Sequence, residues 1–317
     1  MADATAIGDP VVRQDGIAKV TGMAKFPSDV PADGVAHAIL LTSTIARGRI
    51  RSIDDSRART IPGFLLLLSH ENASDVVKPQ RAFIGSENPT LQGPDIAHDG
   101  QIIGMVVAET LEVARECARA VRFDYEVLPA SAGFDAEGAV SKPVSEVDER
   151  HVDPQLGDTG PALSAAHAKV DVRYSTPIQH HNSMELLTTT CWWSGNRLTV
   201  HEPSQFVLNR GYLAQCFGIP HEDIRVVSRY CGGGFGGKAS GTARTVVTAL
   251  AAKRLNRPVK LYATRDQGFT IYTYRAETRH HVQLAANDKG RLTAMVHEGW
   301  EVASRPSPYT VAGTEIG

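Results

Sequence analysis

Apolar positions along this chain fall into short runs punctuated by glycine and proline. Runs at 36–41, 63–68 and 102–108 are β-branched or leucine-rich and only six or seven residues long, so each predicts a buried strand. The period changes at 111–122. There Leu111, Ala114, Cys117, Ala118 and Val121 recur at helical spacing and predict a helix following directly on a strand. Alternation returns at 123–127, so the chain up to residue 128 reads as one compact unit of mixed strand and helix. Residues 129–168 are rich in Pro, Gly, Ser and acid with no sustained apolar period, and predict a linker. A second unit is expected over 169–317, with strands at 170–176, 188–193, 198–201, 224–227 and 259–263 and helices at 207–217 and 242–255. Gly218 ends the first of these helices. Lys253 and Arg254, followed by Pro258, end the second, as a helix C-terminus favours. The fold class is α+β.

Composition narrows the partners. A chain of 317 residues with 42% hydrophobic and 21% charged content has room for two ordinary globular domains. Its net charge of -2 creates no bulk field that would gather nucleic acid or anionic lipid. No stretch approaches the roughly 20 apolar residues a membrane span needs. The first residues lack the basic and apolar regions of an export signal, so a cytoplasmic location is expected, with export beside a signal-bearing partner as the other route. Cys117, Cys191, Cys216 and Cys231 are widely spaced and form no C-x-x-C pair, which argues against an iron–sulfur site, a zinc site or a disulfide framework. Each reads as a small buried hydrophobe, and any redox cluster belongs to another chain.

The chemistry concentrates in residues 232–238. Five glycines in six positions, then Lys238, let main-chain N–H groups approach an anion or an oxo group closely, and a helix N-terminus follows. Gly232, Gly234 and Gly237 satisfy G-x-G-x-x-G, but the strand at 259–263 reaches only Asp266 where a dinucleotide site needs its acid. Gly232, Gly237 and Lys238 satisfy G-x-x-x-x-G-K, but Ala239 stands where a P-loop places the hydroxyl that holds Mg²⁺. A plain strand-to-helix turn would not need so many glycines, each costing roughly 0.5–1 kcal/mol against alanine. Elsewhere, His180, His181 and Glu185 could be drawn as metal ligands, yet a structural role for the segment is the better reading. His280 and His281 lie in alternating sequence, so at most one faces inward, and Trp192 and Trp193 should project to opposite faces of their strand.

Several motifs in order carry a resemblance. Glu202-Pro-Ser-Gln-Phe-Val-Leu-Asn-Arg210, Ala214-Gln-Cys-Phe-Gly-Ile-Pro220, Ile224-Arg-Val-Val227 and Cys231-Gly-Gly-Gly-Phe-Gly-Gly-Lys238 resemble the molybdopterin-binding subunit of the xanthine dehydrogenase and aldehyde oxidase family. Upstream, residues 13–22, 43–49 and 100–108 resemble that family's small hammerhead domain, and residues 174–185 resemble the strand that opens its cofactor domain.

The resemblance implies a hammerhead α/β domain over 1–128 and the first part of a molybdopterin-binding domain over 169–317. It implies a molybdenum–molybdopterin cofactor, in its cytosine dinucleotide form, whose metal is held by the pterin dithiolene and not by protein side chains. Gln205 would donate its side-chain amide to an oxygen ligand of the metal, while Gly233, Gly234, Phe235, Gly236 and Gly237 line the cofactor, the N–H groups of Phe235 and Gly236 facing the apical oxygen. It further implies an iron–sulfur subunit carrying [2Fe-2S], an FAD subunit, and a C-terminal molybdopterin-domain segment or chain supplying the general-base glutamate, so that this chain by itself would not turn over. The activity implied is hydroxylation of an aldehyde or N-heteroaromatic substrate with water as oxygen source. Ala239 replaces the acid by which purine-oxidising members grip the heterocycle, which disfavours purines. A P-loop-like nucleotide-binding protein and a non-catalytic assembly piece are the competing expectations.

Overall fold

The computed structural model describes residues 8, 10–76, 91–147, 153–207, 210–239, 243–271 and 273–302. Along the chain come α1 (Gly16–Val20), β1 (Ala36–Thr42), β2 (Gly48–Asp54), α2 (Ser56–Arg59), β3 (Phe64–Ser69), β4 (Asp95–Ile96), β5 (Ile102–Ala108), α3 (Leu111–Ala120) and β6 (Arg122–Val127). There follow α4 (Val144–Val147), α5 (Thr159–Ser164), β7 (Ala168–Thr176), β8 (Thr188–Ser194), β9 (Arg197–His201), α6 (Arg210–Phe217) and β10 (Ile224–Val227). The last elements are α7 (Ala243–Leu255), β11 (Val259–Tyr262), β12 (Thr278–Ala286) and β13 (Leu292–Glu301). The expected helix at 207–217 begins at Arg210; Val207 lies outside it and exposed, and Leu208 and Asn209 fall outside the described residues.

Local chemistry explains the main elements. All seven residues of β5 are buried, because β1 and β3 pair with it on both edges and helices cover its faces; a continuous apolar run is what such a strand requires. Thr110 caps α3 by accepting the Val113 N–H at 3.2 Å, and Ala114, Cys117 and Ala120 form its buried stripe. The helix stops at Ala120, where Val121 turns extended and the chain enters β6. In α7, nine consecutive residues from Arg244 to Ala252 are buried, so this helix runs through the core; its alanines and threonines fit where bulkier residues would not.

Packing cuts the chain differently from the linear division at 128 and 169. One compact unit joins residues 1–127 to 182–272, and the other joins 128–181 to 273–317. The cause is one seven-stranded sheet of order β10-β9-β8-β11-β1-β5-β3, in which β1 pairs in parallel with β11. Strands from both sequence segments therefore bury a common core around Leu68, Met105, Val200, Leu250 and Leu261. A small sheet of order β4-β2-β6 completes this unit.

The second unit holds a three-stranded antiparallel sheet with β12 between β7 and β13. Part of the segment expected to be a linker packs here. Asp135 binds the Arg279 guanidinium in a two-pronged ion pair, and the Phe134 ring lies 4.4 Å from the same group.

Candidate functional site

Strands β9 and β10 run parallel, with Val200 opposite Val226 and His201 opposite Val227. Their carboxyl ends therefore emerge side by side at one border of the sheet, the usual position for a ligand in parallel topology. Gln205 lies four residues beyond β9, and the glycine loop begins five residues beyond β10. Topology alone brings together two segments about thirty residues apart in sequence.

Three bonds fix Gln205 on the loop. Its N–H donates to the Lys238 carbonyl at 2.8 Å, and its side-chain Oε1 accepts from the N–H groups of Gly236 at 3.0 Å and Lys238 at 3.2 Å. Both side-chain partners are donors, so the carboxamide oxygen must face the loop. Its NH₂ consequently points away, on an exposed residue, and has no acceptor among the described residues. This is the arrangement expected of an amide that offers hydrogen bonds to a ligand.

The loop is a tight turn in which the Gly237 N–H donates to the Gly234 carbonyl at 2.8 Å. Its central residues, Phe235 and Gly236, have φ of 54° and 99°, the two positive values of a type I′ turn. Glycine meets that demand freely and phenylalanine does not. Phe235 is held in left-handed backbone with its side chain 62% exposed, a local strain of the kind that collects at functional sites. A Cβ at Gly234 would stand 2.2 Å from Gln205 Oε1, and one at Gly232 would stand 2.5 Å from the Glu185 Cβ. The chain's own packing thus accounts for these glycines. The amide of Gln205 faces outward, and the N–H groups of Gly233 and Gly234 find no acceptor among the described residues. One expectation changes: the Gly236 N–H is engaged by Gln205 and does not face a ligand.

Behind the loop lies a staple that sequence reading assigned no specific part. The Glu185 carboxylate accepts from the Gly232 N–H at 2.6 Å and from Lys238 Nζ at 2.9 Å, and Lys238 Nζ also donates to the Glu185 carbonyl at 3.1 Å. Lys238's side chain is wholly buried. Its ammonium closes the loop from beneath and reaches no phosphate position, so the P-loop reading fails on geometry as well as on Ala239. Nothing in the spacing of Glu185 and Lys238, 53 residues apart, pointed to this pair.

The remaining candidates are structural. Among the described residues no group of three or more His, Cys, Asp or Glu side chains is placed to hold a metal ion. Cys117, Cys191 and Cys216 are buried as expected, whereas Cys231 is half-buried beside the loop, and burial raises its thiol above the usual value. Trp192 stacks on His201, and Trp193 donates its indole N–H to the Ala249 carbonyl of α7, on opposite faces of β8 as predicted. A cavity of about 890 Å³ borders Glu185 and is lined by Leu41, Arg119, Phe123 and Tyr262, but neither Gln205 nor the glycine loop reaches it. No described helix is long and apolar enough to cross a membrane.

Residues 144–315 match the model of the molybdopterin cofactor-binding domain, and residues 21–129 match the aldehyde oxidase and xanthine dehydrogenase a/b hammerhead domain. The aldehyde oxidoreductase molybdenum-binding subunit of Escherichia coli O157:H7 is 35% identical over 300 residues, 93% of this chain and 40% of that one. The aldehyde oxidoreductase of Desulfovibrio gigas superposes with a TM-score of 0.74 at 26% identity, over 90% of this chain and 33% of that chain. The CO dehydrogenase of Oligotropha carboxidovorans shares the fold, with a TM-score of 0.81 at 23% identity over 92% of this chain and 39% of that chain. This chain thus spans 40% of the length of the first relative. The two matched family models show that the chain belongs to the aldehyde oxidase and xanthine dehydrogenase family, with a molybdopterin cofactor-binding domain over residues 144–315.

Proposed function

We propose that this chain holds one face of a molybdenum–molybdopterin cofactor in an oxidoreductase acting on an aldehyde or N-heteroaromatic substrate. The observation that carries the reading is the orientation of Gln205. Its Oε1 is spent on the Gly236 and Lys238 N–H groups, leaving the NH₂ as a pair of donors for an oxygen ligand of the cofactor. Gly233 and Gly234 add main-chain N–H groups beside it, and the exposed Phe235 ring shields the cofactor from water. When bound, the cofactor supplies oxidative hydroxylation with water as the oxygen source.

No general base is assigned within this chain. The two carboxylates nearest the site are engaged, Glu185 by Lys238 and Gly232 and Glu202 by Arg244, so the proton acceptor is placed on a C-terminal segment or partner chain. Electrons then leave through a [2Fe-2S] subunit and an FAD subunit, because these cysteines offer no cluster site. We assign the cofactor the cytosine dinucleotide form and the complex a cytoplasmic location. Ala239 leaves no acid after the loop lysine, which favours aldehydes and simple N-heterocycles over purines.

Metal analysis and pterin fluorescence on the complex purified with its native partners test the assignment. About one molybdenum and one pterin per chain are expected. A complete complex containing neither would make the chain an assembly piece with no cofactor of its own.

A further inference from the structure

Three residues separate β9 from Gln205, and the first side chain among them is a buried charge. Glu202 and Arg244 have side chains only 2% and 3% exposed, and Arg244 Nη2 donates to Glu202 Oε2 at 3.2 Å. The same oxygen accepts from Thr245 Oγ1 at 2.5 Å and from Thr189 Oγ1 at 3.3 Å, while Arg244 Nε donates to Thr189 Oγ1 at 3.1 Å. One carboxylate oxygen therefore joins three elements. Thr189 belongs to β8, Glu202 follows β9 and leads into Gln205, and Arg244 with Thr245 opens α7, the helix that receives the chain after the glycine loop.

A core of this kind does not need an ion pair to be stable. Replacing a buried pair by apolar groups of similar volume is often neutral or stabilising, so what the pair adds is direction. Here the direction is shared by both halves of the cofactor-facing clamp. Pro203 stiffens the step from Glu202, and Ser228, just beyond β10, donates to the Ser204 carbonyl at 3.1 Å and accepts the Ser204 N–H at 2.9 Å. Beyond Ser204 stands Gln205, whose Oε1 meets Gly236 and Lys238.

We propose that Glu202, through Arg244 and Thr245, is a positioning residue that sets the orientation of the Gln205 amide relative to the glycine loop. The inference rests on reading Gln205 as the cofactor's donor, but its test does not need the cofactor. In the full-length chain without cofactor, single-residue amide exchange is measured at Gly236 and Lys238, the two N–H groups held by Gln205.

The double variant E202L/R244M removes the charges while keeping apolar volume, and should accelerate exchange at these two amides about tenfold, with β1 and β5 unchanged. E202Q/R244M restores an acceptor for Thr245 without charge and should return exchange part of the way to the wild-type rate, the remainder being the share carried by Arg244. Should the first variant fail to fold, Thr245→Val, which deletes one donor to the carboxylate, should give a smaller acceleration at the same two amides. Wild-type exchange in E202L/R244M overturns the proposal. So does acceleration spread equally over β8, β9 and α7 without rescue, because that marks a merely structural core. A wild-type complex lacking pterin would refute the cofactor reading and leave these exchange results standing.

Discussion

Single residues at the glycine loop make contacts too close to absorb a methyl group. Gly234→Ala would drive a Cβ to 2.2 Å from Gln205 Oε1, and the side chain of Gln205 must swing away. Thermal stability should change little, since Gln205 is exposed, while bound pterin per chain should fall about tenfold, as measured by fluorescence after release. Retention of wild-type pterin would mean that Gln205 does not hold the cofactor. Lys238→Met leaves the Glu185 carboxylate with no cation and should destabilise the unit by about 3 kcal/mol in denaturant unfolding. Phe235→Gly relieves left-handed backbone and should raise stability by about 1 kcal/mol in denaturant unfolding while loosening the loop. The glycines and the glutamine were visible as residues in the sequence. Which atom of the amide faces inward was not, because that follows from two donors supplied by another segment.

At the scale of elements, the three-stranded sheet carries a pH-dependent clasp. His281 on β12 binds Asp171 of β7 through Nε2 at 2.8 Å and Glu298 of β13 through Nδ1 at 2.9 Å. Asp171 first, and Glu298 with it, hold the imidazole protonated to higher pH than usual, and His281 in turn holds the Asp171 carboxyl below its ordinary range. The raised histidine contributes stability that is complete below its ordinary value and lost as pH rises through its folded value. The depressed aspartate contributes stability that is complete above its ordinary value and lost as pH falls through its folded one. Protection of the β12 and β13 amides should therefore be greatest between about pH 4 and 6.5 and decline above neutrality. His281→Asn should flatten the decline. A profile level from pH 6 to 8.5 in the wild type would contradict the clasp.

Readability differed among elements for physical reasons. β5 announced itself because both faces are buried and its run is wholly apolar. β2 did not, because Arg49 and Arg51 interrupt it and only Gly48 and Ile50 are buried, so a half-solvated strand reads as loop.

At the scale of the whole chain, the site exists because β9 and β10 are parallel and because β1 completes the same sheet beside β11. The β1–β11 pairing joins residues more than 200 positions apart, and no local period encodes it. A linear reading consequently placed a boundary at 128, while packing joins residues 1–127 to the unit that contains the glycine loop. The most direct measurement is a structure of the cofactor-loaded complex, read at one distance. Gln205 Nε2 is expected within about 3 Å of an oxygen ligand on molybdenum, with its Oε1 still on Gly236 and Lys238. A cofactor bound elsewhere, with residues 232–238 covered by protein alone, would contradict it.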